Sequence, residues 1–495
     1  MKTIISVSQD PTNHNTSEQE GSTEFLGKEV GGNLLRRRII GGLLKARYFP
    51  IALQALALAF FLFLLISGFG IYPSDSRKAS YLGNTNWVTL FIWGLWWPLV
   101  VYSSVFLGRV WCAFCPLELA STLATKVGLG LRLPWRKNSA ILCTVTYLGL
   151  VLFGIIYWEM DLIPGRTAIY LIVLLAAALL TGILFQKRSF CNVLCPVGQL
   201  LGVHAWCAPM EWRVEDPRVC AECREKPCLS RSNYTSLLAR SCTSDLYPAR
   251  LATNQDCLLC TQCAKSCNRN NLRLSFRRWF ADVFSGQRVS IATMAFSIVL
   301  SGFFLYELGT LWRPTRNILF WFPDSIIQHY DFSSHWAIGM IRGSIILILY
   351  PAILWLAPAA MNRIFRRGYS ILEYFEVTAA AYFPIFAGIH LTIGLQDTAP
   401  RIKYIPLALR DPDGVKTAAL LVSRTVKLSN QIPPFWNNTI NVLQFAFVTV
   451  GLVVGIFAAL RIARRNPAIS PAASISAVVL YGGIFWSMIL IWKWL

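Results

Sequence analysis

Twelve of the fourteen cysteines in this 495-residue chain fall into short ordered groups. The densest is DCLLCTQCAKSCN, where Cys257, Cys260, Cys263 and Cys267 follow the spacing C-x2-C-x2-C-x3-C. Upstream stand Cys220, Cys223 and Cys228, with Cys242 further on. Two more pairs, Cys112 with Cys115 and Cys191 with Cys195, each run directly into a proline. Steps this tight let one loop cap three corners of an iron–sulfur cubane, while the fourth thiolate reaches a second cluster.

That crossover rule makes Cys257, Cys260, Cys263 and Cys242 the ligands of one [4Fe–4S] cluster. Cys220, Cys223, Cys228 and Cys267 then hold the other, and the reverse allocation of Cys242 and Cys267 stays open. Zinc is the rival for the upstream set, because Cys220-x2-Cys223 with a later pair suits a zinc ribbon. Four cysteines within eleven residues, as in the downstream run, do not make a relaxed tetrahedral site. From 186 to 288 there are 15 Lys and Arg against eight Asp and Glu. A basic surround offsets the negative charge of thiolate-bound clusters and raises their potentials; the same residues also suit anionic lipid headgroups.

These cysteines must be positioned by membrane helices. Hydrophobic residues make up 55% of the chain and mean hydropathy is +0.48, values that point to a membrane protein. About 20 apolar residues span a bilayer core of about 30 Å. Nine segments qualify, at 51–72, 87–107, 140–158, 167–185, 289–311, 336–356, 375–395, 440–460 and 475–492. The first 48 residues read as a disordered polar and basic tail with no early apolar run. The expected order is then this tail at 1–48, a four-span unit at 49–202, a two-cluster ferredoxin-like domain at 203–285 and a five-span unit at 286–495.

The net charge of +21 sits in the loops. With the N-terminus in the cytoplasm, the inner loops receive 16 Lys and Arg, among them Arg109, Arg132, Arg136, Lys137 and Arg367, against five in the short outer loops. Basic loops face the cytoplasm, so the insert lies there, and a reducing compartment favours thiolate ligation over disulfides. The loop at 396–438 dissents with six basic residues, Lys427 among them. Long loops obey the rule weakly, and 415–428 is expected as an amphipathic helix on the outer surface.

The four-span unit repeats itself. Two spans precede GRVWCAFCPLELAS (108–121), and two more precede SFCNVLCPVGQLLG (189–202). Proline suits the first turn of a helix, so each Cys pair is expected at the inner surface where a helix begins. Pseudo-symmetry would bring Cys112, Cys115, Cys191 and Cys195 together to bind a metal, run thiol–disulfide chemistry or bracket a quinone head. The plainer reading is a set of small buried hydrophobes, which is also the reading for Cys143 and Cys207.

Taken together, GRVWCAFCP, FCNVLCPVGQLLG and CLLCTQCAKSC resemble the NosR/NapH-type membrane polyferredoxins, a group that includes the cytochrome oxidase assembly ferredoxins. The resemblance covers roughly 50–276. It implies several spans, two C-x(2–3)-C-P motifs at the cytoplasmic face, two [4Fe–4S] clusters and electron relay between a quinone pool or cytoplasmic donor and a partner system. Three features depart from the pattern: Asn268 replaces proline after Cys267, Cys112 and Cys115 are two residues apart instead of three, and no large N-terminal flavin-binding region precedes the spans. The five C-terminal spans lie outside the resemblance.

Ionisable residues inside spans are functional candidates. Glu307 and Arg342 are two. His335 and His390, placed on the same side of the bilayer by alternation, are candidate ligands to haem b or contacts to quinol. Interfacial or helix-bonding roles are the plainer reading for both histidines, and His204 ranks lower still. The reading is a polytopic α-helical membrane protein of the cytoplasmic (inner) membrane with about nine spans and a small cytoplasmic two-[4Fe–4S] insert. It is an electron-transfer component more than a stand-alone enzyme, with a quinone, a protein redox partner and the bilayer as partners and no nucleic acid. The alternative is an assembly or maturation factor handling a metal such as copper for a respiratory metalloenzyme.

Overall fold

The computed structural model describes residues 32–131, 139–186, 189–230, 233, 236–242, 244–366, 368–426, 428 and 433–494. Residues 1–31 of the expected tail, together with Arg132, Arg136, Lys137, Arg367 and Lys427, lie outside these. Among the described residues, eight helices are long and apolar enough to cross a membrane: Ile51–Gly68, Trp87–Leu107, Pro164–Leu184, Ile291–Leu311, His335–Phe365, Ile371–Arg410, Phe435–Arg465 and Pro471–Lys493. The segment expected at 140–158 appears as a shorter apolar helix, Ile141–Tyr157. The protein is thus a multi-pass membrane protein with a mainly helical fold.

Ile371–Arg410 is the axis of the bundle. Its most apolar stretch is wholly enclosed by protein, whereas Ile51–Gly68 and Pro164–Leu184 leave most of theirs open to lipid. The axis begins at a capping box between Ser370 and Glu373, which satisfies backbone donors that a helix start leaves free. Aromatic side chains fill the space around it, with Tyr382 stacked on Trp355 at 4.3 Å and Phe386 edge-on to Tyr481 at 5.7 Å. Gly388 and Gly451 allow the Phe435–Arg465 helix to approach, since a Cβ at Gly388 would stand 2.3 Å from Phe447 O.

The insert between Pro164–Leu184 and Ile291–Leu311 forms its own small core. Strand β1 (Met210–Val214) pairs antiparallel with β2 (Leu272–Phe276), Trp212 opposite Leu274. Met210, Trp212, Val214, Leu272 and Leu274 are buried, with Cys220, Cys257, Cys263 and Cys267 packed against them. The two strands therefore bracket both cysteine runs.

The expected tail at 1–48 ends earlier than its polarity suggested. Leu34–Arg36 and Arg38–Lys45 are helical, and Leu35 is buried in the insert core. Asn33 donates to Leu272 O and accepts from Leu274 N, each at 3.2 Å. Arg36 pairs with Glu215 at 2.5 Å, and Lys265 donates to Ala46 O at 2.8 Å. One buried leucine and a set of specific hydrogen bonds replace the apolar periodicity that a sequence reading needs.

On the opposite face, the amphipathic helix expected at 415–428 is Val415–Val422, and it rests on protein. It packs on Ser76–Thr85, with Asn86 Nδ2 donating to Asp413 O at 2.8 Å. Gly414 makes the contact possible: its φ is +71°, and a Cβ there would stand 2.6 Å from Asn86 N.

One buried ion pair ties the insert to the membrane helices. Arg240 meets Glu118 with side-chain exposures of 4% and 1%, and Gln54 and Thr122 also donate to that carboxylate. Removing one partner strands the other charge in a low dielectric. Arg240→Ala should destabilise the folded protein by about 3–5 kcal/mol, read as a lowered unfolding midpoint in detergent. Glu118→Gln, which leaves the Arg240 guanidinium buried without a counter-charge, should lower the midpoint comparably.

Candidate functional site

The eight cysteines of the insert separate into two groups. Cys242, Cys257, Cys260 and Cys263 line one cavity of about 30 Å³, closed by Trp212, Leu251 and Leu258. Three of them come from one loop, in which Leu259 and Thr261 have φ of +53° and +59°. Left-handed turns at non-glycine residues are strained and persist where the surroundings impose them; here they turn the loop around the cavity. Burial, then neighbouring thiols, pushes Cys257 up to about 12.

In the second group, burial and the charges of Cys267, Cys220 and Cys223 push Cys228 up to about 11. Within each group, deprotonated thiols repel one another, and a bound cationic centre relieves that repulsion.

Donors are aimed at these sulfurs. Asn271 Nδ2 lies 3.3 Å from Cys220 Sγ, and the Leu246 N–H lies 3.4 Å from Cys242 Sγ. The Trp212 indole N–H is buried with no oxygen acceptor and favours the thiolate of Cys263. Hydrogen bonds to cluster sulfurs raise reduction potentials. Among the described residues, no three Cys, His, Asp or Glu side chains could hold one metal ion between them. Four thiols in each set are the number that a [4Fe–4S] centre takes as ligands.

The four Cys-Pro cysteines do converge. Cys115 and Cys195 cap the helices Pro116–Lys126 and Pro196–Ala205, each with proline at the first turn. Cys112, Cys115, Cys191 and Cys195 then line one apolar cavity of about 140 Å³, walled by Trp93, Trp96, Trp97, Trp111 and Tyr170. Burial, then the other thiols, raises Cys115 and Cys195. Cys143 and Cys207 are buried packing residues, 2% and 0% exposed.

Arg109 is the one charged residue lining this thiol cavity. Its Nη1 donates to Gln255 O at 2.9 Å. It passes Gly198, where a Cβ would stand 3.2 Å from Nη2. Burial opposes its charge, but Cys112, Asp256 and Cys195 more than offset this and raise its pKa. Arg109 therefore joins the thiol cavity to the residue preceding Cys257. Leu258 completes the junction by lining both cavities.

His335 and His390 are not brought together. His335 is exposed, beside Tyr157. His390 is fully buried, and its Nδ1 shares a 2.9 Å hydrogen bond with Nε2 of His204. The difference is one of depth. Ile371–Arg410 is a 40-residue segment, which places His390 near its middle instead of its outer end. Metal–imidazole bonds run about 2 Å, so the 2.9 Å contact leaves no room for iron between His204 and His390. Arg342 pairs with Asp324 at 2.7 Å.

A 4Fe–4S binding domain model matches residues 89–134 and 167–211, the two halves that carry the Cys-Pro motifs. The chain is 24% identical over 220 residues to an uncharacterized protein of Methanocaldococcus jannaschii, covering 43% of this chain and 81% of that one. It is 26% identical over 207 residues to the protein NirI of Paracoccus denitrificans, covering 37% of this chain and 29% of NirI. No solved structure matches. The fold and matches define a membrane iron–sulfur protein. Within that class, the likeness to NirI agrees with the motif order, which is similar to that of the NosR/NapH-type membrane polyferredoxins.

The two foursomes predict separable losses. Cys242→Ser and Cys267→Ser should each remove about half of the bound iron, since two cubanes use four thiolates each. The two variants should abolish different reduced-state EPR signals, and identical residual spectra would refute the crossover.

Proposed function

We propose that this protein is an electron relay of the cytoplasmic membrane, exchanging electrons between the quinone pool or a cytoplasmic donor and a partner redox protein. The observation that carries this is the Leu258 wall common to the thiol cavity and the Cys242–Cys257–Cys260–Cys263 cavity. Bound in the insert, two [4Fe–4S] clusters supply one-electron exchange. Cys257, Cys260, Cys263 and Cys242 hold one, and Cys220, Cys223, Cys228 and Cys267 hold the other.

The thiol cavity is matched to a quinone head. An engineered apolar cavity of about 150 Å³ accepts benzene, so a space of about 140 Å³ suits one six-membered ring. Tryptophan faces flank the ring, and Arg109 offers N–H groups to a carbonyl oxygen. The insert faces the cytoplasm in this reading, since the basic loops lie on its side.

A second reading, metal handling during maturation of a respiratory metalloenzyme, draws on the same convergence of Cys112, Cys115, Cys191 and Cys195. The two part on one experiment. Anaerobically purified protein should carry about eight irons and equivalent sulfide, bleach on reduction, and be reduced by decylubiquinol. Cys191→Ser with Cys195→Ser should slow quinol-driven reduction while leaving dithionite reduction intact. Unchanged quinol kinetics with loss of metalloenzyme maturation would favour metal handling, and a colourless protein holding zinc would overturn the relay.

A further inference from the structure

Between the N-terminal and the C-terminal spans lies a second cavity that the relay does not use. It measures about 80 Å³ and is lined by Asp161, Glu307, Asp397, Arg401 and Tyr147. These residues come from four separate segments. Asp161 lies in the loop between Ile141–Tyr157 and Pro164–Leu184, opposite the insert. The volume suits several waters, each needing about 10–15 Å³.

The cavity is incompletely satisfied. Asp397 pairs with Arg401 at 3.3 Å, and Arg401 Nε donates to Asn84 at 3.2 Å. The Glu307 side chain has neither a hydrogen bond nor an ion pair among the described residues. Tyr147, 1% exposed, turns a hydroxyl with no partner toward this space. Polar groups this deep need water or a partner. Burial lifts Asp161 to about 6, against a backbone hydrogen bond and the pull of Arg401.

Two connections lead inward. Trp93, Trp97 and Leu150 line both this cavity and the thiol cavity. His390 stands two helical turns from Asp397, on the same helix face as Ile393, and touches Trp97 and Phe303 of the cavity wall. Its Nε2, and Nδ1 of His204, are buried without partners. Two imidazoles sharing one hydrogen bond can accept a proton at one free nitrogen and release one at the other.

We propose that the carboxylate cavity, with the His204–His390 pair at its inner end, is a proton exit from the thiol cavity to the membrane face opposite the insert. The inference rests on quinol oxidation at the thiol cavity. Oxidation of one quinol to quinone breaks two O–H bonds and yields two electrons and two protons. The electrons leave toward the insert, one to each cluster. Neither carboxylate nor imidazole lines the thiol cavity, and Arg109 already carries its proton. The protons pass to Glu307 and Asp397 and then to water at the far face. The groups facing this route are Asp161, Glu307, Asp397, Arg401, Tyr147, His204 and His390.

The test uses full-length protein in vesicles sorted so that the insert faces outward, with a pH dye inside and decylubiquinol as donor. Wild type should show cluster reduction together with acidification of the interior, two protons per quinol. Glu307→Gln and Tyr147→Phe should slow quinol-driven reduction and interior acidification on the order of 10-fold or more, as loss of a proton-transfer group does. Dithionite reduction and EPR spectra should stay unchanged, which separates the effect from misfolding. Wild-type rates in both variants, or release of the protons on the insert side, would overturn the proton exit. Clusters that never respond to decylubiquinol in wild type would instead overturn the relay beneath it.

Discussion

A single buried guanidinium conditions the whole arrangement. Thiols cannot ionise in an apolar wall unless positive charge stands near. Arg109, 7% exposed, is placed between two sets of them. It leads from Cys112 and Cys195 on one side to Asp256, next to Cys257, on the other. The backbone is cut to fit it: Gly198 and Gly202 keep the helix after Cys195 narrow enough to pass. A larger residue at Gly198 would push against Arg109 and Cys191 O together, disturbing charge and thiol geometry in one step. Arg240 does a similar service on Glu118, so two buried guanidinium groups dock the insert beside the apolar contacts that Trp206 and Val283 make with the spans. Buried ion pairs add little net stability, but they penalise misregistration heavily. A cluster domain that must hold a fixed distance from the membrane benefits from that trade.

The cysteine chemistry was legible because its information is local. Four cysteines within eleven residues announce their spacing without any tertiary knowledge, and Pro116 and Pro196 mark the helix starts for the same reason. The convergence of Cys112, Cys115, Cys191 and Cys195 followed from the repeat, since two like hairpins packed face to face bring like positions together. The docked N-terminal segment was not legible. Its contacts are Asn33, Leu35 and Arg36, and polar residues that bond specifically look the same in sequence as polar residues that bond only water.

The partner of His390 was hidden for a related reason. His204 and His390 are 186 residues apart, and nothing in either local sequence names the other. Alternation of spans assigns faces, not depth, and Ile371–Arg410 is long enough to carry His390 to its middle. The signal that could have found the pair was indirect. His204 follows a Cys-Pro helix start by nine positions in an apolar stretch, where a polar ring must find a partner. Glu307 was flagged by its cost in a span, but its companions Asp161, Asp397 and Tyr147 were scattered over 250 residues.

Depth also explains why one chain would hold both an insert and five further spans. Charge moving through an apolar wall is expensive unless an opposite charge or a proton moves with it. The insert and its basic surround answer for electrons at one face. In the proposed route the bundle centred on Ile371–Arg410 answers for protons, because a protein-enclosed helix keeps Asp397 and His390 away from lipid while leaving their backbone bonded. Trp97 is where the two halves meet, touching His390 and lining both cavities. Its indole separates the two routes without supplying a titratable group to either. In the proposed route the protons pass this wall by way of water or the His204–His390 pair beside it, while the electrons leave on the Leu258 side toward the insert.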